Sequence, residues 1–204
     1  VKGDQTYTAK MSIAFEEKSM HTIADRQAQL EATNKAYDML EELSFVAKQV
    51  TDIMEQSKDR ASKTKNTVLQ GKLTELENLM DAQRKEMMAT KKTTAITGEI
   101  RLREKLSELY SAISGYDGKP TDAQLNRLTA IDAEMKNIQS MVAKLLSGNI
   151  ATINEHLTAE GLQAIQPTTR EQFDKEEQLG GAPMPKNEID ARQTELLLQF
   201  GIRF

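Results

Sequence analysis

The 204-residue chain contains no cysteine and no tryptophan, and only 4% of its residues are aromatic. Without cysteine, disulfide bonds, thiolate metal sites and cysteine nucleophiles are excluded. The scarcity of aromatic residues argues against a large β-sandwich, whose strands are usually rich in such side chains. The apolar share of 38% is low, and its Leu, Ile, Ala and Met residues suit helix-on-helix packing.

The chain also lacks long apolar runs and an excess of basic residues. No run approaches the roughly 20 residues that a membrane-spanning helix needs, so no membrane span is predicted. The net charge of -4 and the pI of about 5.4 argue against a nucleic-acid-binding surface, which requires clustered basic residues. The N-terminus has neither an initiator Met nor the apolar core of a signal peptide. We therefore expect a processed product or a part of a longer protein.

Helical periodicity dominates the sequence from His21 to Leu157. Two capping boxes, Thr22 with Asp25 and Thr121 with Gln124, predict the starts of the first and fourth of four helices. The first is expected to run to about Ser57, before a polar turn over residues 56–67. The others are expected from about Leu69 to Met87, from Glu99 to Ser114, and for about 35 residues after Thr121.

Each of these segments has one apolar stripe, and the links between them are short. The first stripe is predicted to hold Leu30, Tyr37, Leu40, Ser44, Ala47, Val50 and Met54. Short links make neighbouring helices antiparallel, which predicts a mainly α fold, an up-down bundle of about four helices. One shared core should bury Leu40, Val50, Leu73, Leu106, Leu128 and Leu145.

One segment near the N-terminus does not have helical periodicity. Thr6 to Phe15 alternates apolar and polar residues, which predicts a short β-strand with one buried face. Because a single strand is unstable alone, it needs a partner. The possible partners are an upstream domain, the same strand of a second copy, or the alternating C-terminus from Leu198 to Phe204. We favour the C-terminus.

These patterns predict three regions. Residues 1–18 form the strand segment, which is expected to end an upstream domain, and residues 19–165 form the helical bundle. Residues 166–204 are predicted to be a linker and C-terminal tail, because proline, Gly-Gly and dense charge appear there. Short helices are expected within this tail near residues 169–179 and 187–198.

No residue pattern in the chain points to catalysis or to a cofactor. Neither His21 nor His156 belongs to a metal-binding spacing, and His156 is better explained as a favourable charge near a helix C-terminus. Paired carboxylates such as Glu41-Glu42 are expected on solvated faces, where nothing raises a pKa. The loop from Gly115 to Thr121 lacks the spacing of a phosphate-binding loop. We therefore predict no catalytic residue, no cofactor-binding residue, no metal ligand and no enzymatic activity.

Three segments nevertheless resemble a known family. These are HTIADRQAQLEATNKAYDMLEELSFVAKQV (21–50), RLREKLSELYSAISGYDGKPTDAQLNRLTAIDAEM (101–135) and LLSGNIATINEHL (145–157). They look like the C-terminal helical region of bacterial sortilin-like proteins, which carry Asp-box β-propellers and are often labelled glycosyl-hydrolase-like. The resemblance implies that the propeller, with any catalytic residues, is not in this chain.

The resemblance and the lack of a catalytic or cofactor-binding residue pattern together lead to a functional expectation. The chain is expected to be a non-catalytic interaction or assembly module from a larger exported bacterial protein, outside the cytoplasm. Its partner would be a protein, either the upstream propeller or a second copy. Two alternatives remain open: a free-standing helical adaptor that binds a partner helix, and an accessory domain of a propeller-type hydrolase.

Overall fold

The computed structural model describes residues 8–12, 18–90 and 99–178. Helices account for 77% of these residues. The five helices are α1 (Ile23–Lys63), α2 (Thr67–Met87), α3 (Leu102–Ser114), α4 (Asp122–Ala159) and α5 (Arg170–Gln178). The mainly α prediction is therefore confirmed.

Both predicted capping boxes are present. The Thr22 hydroxyl accepts a bond from the Asp25 backbone N–H at 3.1 Å, and the Asp25 carboxylate accepts one from the Thr22 N–H at 2.9 Å. Thr121 and Gln124 form the same arrangement at the start of α4. The predicted end of α1 is wrong, because the helix continues to Lys63. Ser57, which was expected in a fraying end, is fully buried.

α1 and α4 are the two long rods of the structure, each about 60 Å in length. They run in the same direction. Lys35 pairs with Asp132, Gln139 bonds Glu42, and the Thr64 hydroxyl donates to Glu160. Residue numbers therefore rise together along both helices.

α2 and α3 both run against α1. The three residues after Lys63 reverse the chain, and Gln70 at the start of α2 bonds the Ala61 carbonyl near the end of α1. α3 reaches the other end of α1, where Gln29 donates to the Ile113 carbonyl at 3.0 Å. The order along the chain is therefore up, down, down, up. The predicted strict up-down bundle is wrong, because α2 and α3 follow one another along α1 instead of alternating in direction.

One core joins all four of these helices, as predicted. Val50, Leu73, Leu106 and Leu128 are buried within it, while Leu40 and Leu145 are partly buried against its edge. The α1 face of this core differs from the predicted stripe. It consists of Ala32, Ala36, Met39, Leu43, Val46, Ala47, Val50, Ile53 and Ser57.

The predicted N-terminal strand is not supported where the structure describes it. Residues 8–12 have no strand structure, and Met11 is 84% exposed. An exposed Met11 cannot be part of a buried strand face. The rest of the predicted strand, its pairing with Leu198–Phe204 and the predicted helix at 187–198 lie outside the described residues.

After α4 the chain turns back over α1. Gly161 has a φ of 71°, and the Leu162 N–H bonds the Leu157 carbonyl at 2.9 Å, which closes the helix end. Residues 162–169, called the strap from here on, then run along α1 to α5. The short helix expected near residues 169–179 is present as α5, and it packs against α1 through Phe173 and Phe45. The division of the chain into three regions stays a prediction.

Candidate functional site

The N-terminal half of α1 carries an exposed row of large apolar side chains. Ile23, Leu30 and Tyr37 are 61%, 59% and 56% exposed. They are spaced by seven residues, which is nearly two helical turns, so they lie in one line along the helix. This line, called the apolar stripe, faces away from the buried α1 residues such as Ala36.

The edge of the apolar stripe is aromatic. The ring of Tyr37 lies 6.5 Å from the half-buried ring of Tyr110 on α3, with the two planes tilted by 48°. This contact fixes Tyr37 at the border between α1 and α3 while leaving more than half of it in solvent. Tyr side chains that present an apolar ring and a polar end are enriched at protein interfaces.

The loop between α3 and α4 closes the same end of the molecule. The ring of His21 lies edge-on to Tyr116 at 5.5 Å, and Gly118 is buried beneath both. A Cβ at position 118 would meet the His21 ring at 2.6 Å, so only glycine fits without movement. Arg26 pairs with Asp117 of this loop at 3.0 Å. His21 therefore packs against a turn, and it has no metal-ligand partners among the described residues.

The C-terminal half of α1 has a different outer face, because α5 covers it. Phe45 packs edge-on against the buried Phe173 at 5.6 Å. The Arg170 guanidinium lies 4.2 Å from the centre of the Phe45 ring and also pairs with Glu41 and Glu42. An aromatic side chain on this part of α1 is thus shielded from water, unlike those of the apolar stripe.

Several carboxylates also connect elements of the fold, whether exposed like Glu41 and Glu134 or partly buried like Asp132. Asp132 of α4 binds Lys35 of α1 at 3.3 Å and Lys136 at 3.0 Å. The hydrogen bond from Lys136, followed by that from Lys35, outweighs partial burial and lowers the pKa of Asp132 below its usual 3.8. Glu134 binds Lys105 of α3 at 2.9 Å. The lowered pKa of Asp132 keeps this carboxylate ionised, so it does not resemble an acid with a raised pKa.

Lys48, which lies under α5, is likewise kept charged by an ion pair. Burial by itself would lower the pKa of Lys48, but the hydrogen bond and charge of Asp52 outweigh burial, and the pKa is raised. The two groups are 2.8 Å apart, and Glu176 of α5 adds a second carboxylate at 3.8 Å. Lys48 thus remains a cation that ties α5 to α1.

A small hollow lies beside Gly148. A hollow of about 210 Å³ lies between α2 and α4, lined by Lys72, Glu75, Gly148, Asn149, Thr152 and Ile153. It exists because Gly148 has no side chain, and a Cβ there would meet nothing within 4 Å. Ligand pockets usually measure about 300–1,000 Å³. The hollow is therefore smaller than a usual ligand pocket.

No family model, curated protein or solved structure matches the chain. Across the helices that the structure describes, none combines the length and the apolarity that crossing a bilayer requires.

The structure corrects three of the residues predicted for the core face of α1. Leu30, Tyr37 and Ser44 were assigned to the inner stripe of α1, but they are exposed on its outer face. The inner positions belong to smaller side chains, Ala32 and Ala36. Large apolar residues suggest a buried face more strongly than alanine does, so the predicted buried face is wrong in this half of the helix. The spacing of Ile23, Leu30 and Tyr37 by seven residues was the available signal for a second, exposed apolar line.

Proposed function

We propose that the chain is a non-catalytic interaction module that binds a protein partner along the apolar stripe. Three large apolar side chains in one line, each more than half exposed, support this proposal. Extended apolar patches on soluble proteins commonly mark interaction sites. The seven-residue spacing suits a partner helix laid along α1, since helices recognise one another through residues at such intervals.

The partner is proposed to be a second copy of the chain or another part of a larger protein. The resemblance to sortilin-like propeller proteins makes the upstream propeller the first candidate. An exported, bacterial origin rests on the same resemblance and remains a proposal. Neither the partner nor the cellular location follows from the helical fold itself, because helical rods serve many functions.

The apolar stripe can be tested by substitution without disturbing the core. The test variant replaces Ile23, Leu30 and Tyr37 with serine, and the control variant replaces the exposed polar residues Glu31, Asn34 and Asp38 with alanine. Sedimentation equilibrium is expected to show self-association of the wild type and the control. The test variant should remain monomeric with an unchanged helical circular dichroism spectrum.

A monomeric wild type would direct the test to the larger protein. Hydrogen exchange would then be compared between this chain and the longer protein from which we expect it to come. Added protection over residues 23–37 in the longer protein supports the proposal. A monomeric chain whose α1 exchanges equally in both contexts would contradict it.

The absence of catalysis is tested separately. The purified chain is expected to hydrolyse no chromogenic glycoside, ester or phosphate ester above background. An activity that co-purifies with the chain, and that is lost on substituting a single carboxylate such as Glu134, would overturn the non-catalytic proposal. Glu134→Gln serves here because this carboxylate lies on the surface and, within the described part of the chain, pairs with Lys105 alone.

A further inference from the structure

The strap is held to the bundle mainly through its backbone. Asn154 of α4 donates from Nδ2 to the Ile165 carbonyl at 2.9 Å, and its Oδ1 accepts from the Ile165 N–H at 2.7 Å. Gln56 of α1 binds the next residue in the same way. Its Nε2 donates to the Gln166 carbonyl, and its Oε1 accepts from the Gln166 N–H, both at 2.9 Å. Two side-chain amides thus satisfy consecutive backbone groups that a neighbouring β-strand would otherwise satisfy.

Two more side chains extend this row in both directions. Gln49 donates to the Thr168 carbonyl at 2.7 Å, and the Arg60 Nε donates to the Gln163 carbonyl at 2.9 Å. The four side chains Gln49, Gln56, Arg60 and Asn154 therefore form a ladder along a groove between α1 and α4, called the amide ladder from here on. A ladder of this kind recognises an extended main chain, as strand-addition sites do.

The side chains of the strap supply the selectivity. Ile165 is 1% exposed and is part of the common core, so it is the apolar anchor. The next position, Gln166, points outward, and Pro167 follows where the ladder needs no N–H donor. The Thr168 hydroxyl then donates to Asp52. The groove therefore fits an extended peptide with an aliphatic residue two positions before a proline.

The strap is a weakly anchored part of the fold. Between α4 and Gln178, Ile165 is the one described residue that is buried in the common core, with Leu162 partly buried at its edge; Thr168 is buried as well, and Phe173 is buried against Phe45. α1 to α4 share a much larger apolar core without it. Segments with few buried apolar contacts open at a lower free energy than the whole fold. Gly161, with its positive φ, is the point at which the strap can swing away.

We propose that the amide ladder is a peptide-binding site, which residues 162–178 of a second copy of this chain can occupy in exchange for its own strap. The second copy is the favoured occupant because its strap has the same sequence and would remake every contact just described. Exchange of an identical element requires no new kind of contact, which makes it a low-cost route to a dimer. The site does not involve the apolar stripe, so it is independent of the function proposed above.

Two full-length variants test the exchange by complementation. The first variant, Ile165→Asp, disables the strap and leaves the amide ladder intact. The second, Gln56→Ala with Asn154→Ala, disables the ladder and leaves the strap intact. Both are made in the background in which Ile23, Leu30 and Tyr37 are replaced with serine, so that association through the apolar stripe does not contribute. In that background each variant alone should be monomeric, whereas their mixture should contain a heterodimer by native mass spectrometry. In a control mixture, Glu171→Gln replaces the Ile165→Asp variant. It should form no more heterodimer than the wild type mixed with the second variant, since Glu171 is exposed and, among the described residues, pairs with Lys175 alone.

A fluorescent peptide of residues 160–178 gives an independent measurement. It should bind the Ile165→Asp chain saturably and more tightly than it binds the wild type, whose own strap competes. The same peptide carrying Ile165→Asp should not bind. If Ile165→Asp does not fold, Thr168→Ala with Phe173→Ala replaces it, because this pair weakens the strap and spares the core anchor.

The outcomes are decisive for the exchange. A heterodimer in the mixture, or saturable peptide binding to a folded strap variant, supports the proposal. If the strap variant keeps its helical spectrum and melts cooperatively, yet forms no heterodimer and binds no peptide, the ladder serves only the chain's own strap and the proposal is wrong.

Discussion

Both halves of α1 pack their inner face into the common core, but they differ on the outer face. Apolar residues there are covered by other segments in the C-terminal half and exposed in the N-terminal half. In the C-terminal half, Phe45 lies beneath Phe173 and Arg170, and the strap runs alongside. In the N-terminal half, Leu30 and Tyr37 remain more than half exposed. One helix thus shows that an apolar outer residue becomes either part of the fold or part of an interface, depending on which segment returns to cover it.

The largest expected difference in stability is between a core residue and a residue of the apolar stripe. Leu106→Ala removes a fully buried side chain of α3 that packs in the common core, and it should lower the free energy of unfolding by about 2–5 kcal/mol. Leu30→Ala on the apolar stripe should change it by less than about 0.5 kcal/mol. Urea denaturation of both variants measures the difference. Equal losses would mean that Leu30 is buried by a contact within the monomer.

The covered half depends on the amide ladder. Asn154→Ala leaves the backbone N–H and carbonyl of Ile165 without their partners, which should cost about 1–3 kcal/mol. Native-state hydrogen exchange should show the loss in the strap and α5 and leave α3 unchanged. Asn149→Ala, at the rim of the small hollow on the same helix, is the matched control. Uniform loss of protection along α1 to α4 would show that the strap is an integral part of the core.

Acid should weaken the link between the N-terminal half and α4. Because the pKa of Asp132 is lowered in the folded state, its ionised form stabilises the fold. This contribution is complete above the ordinary pKa of 3.8 and is lost as the pH falls through the lowered value. The stability difference between the wild type and Asp132→Asn should therefore shrink below about pH 4. Thermal melts from pH 7 to pH 2 measure it, with the exposed Asp38→Asn as control. A difference that is constant with pH would contradict the assignment.

The smallest expected loss of stability concerns the N-terminus of α4, a helix that packs along α1. Thr121→Ala removes the N-cap hydroxyl of α4 and should cost about 1 kcal/mol. Thr121→Ser keeps a capping hydroxyl and should restore most of the loss. The midpoint of urea denaturation measures both. If Thr121→Ser is as unstable as Thr121→Ala, the methyl group of Thr121 matters more than its hydroxyl.

Much of the local structure could be predicted from sequence. The start of α1 at Thr22 and the start of α4 at Thr121 follow from capping boxes, whose residues are three positions apart. The end of α1 could not be predicted in this way. Residues 57–63 look polar, but Ser57 is buried by other helices and Arg60 holds the Gln163 carbonyl of the strap. Distant segments therefore stabilise a helical end that has little apolar character of its own.

The amide ladder shows the same limit for the candidate sites. Gln56 and Asn154 are ordinary polar residues in sequence, and they are 98 positions apart. Only the parallel packing of α1 and α4 places both amides beside one extended segment. The seven-residue spacing of the apolar stripe could be seen in the sequence, but its exposure could not. One face of α1 carries alanines and the other carries Leu30 and Tyr37, and the sequence alone does not indicate which face is buried.

What the sequence by itself determined is the set of helices and the capped starts of α1 and α4, because helix formation and capping depend on residues within one or two turns. The starts of α2 at Thr67 and α3 at Leu102 differ by two or three residues from those predicted. What only the tertiary structure decided is the direction of the rods, the choice of core face and the return of the strap. The three-residue turn after α1 forces a reversal, whereas the 14 residues from Met88 to Arg101 permit α3 to run either way. The packing of α3 against the N-terminal half of α1 selects between these possibilities, and that contact joins residues far apart in the chain.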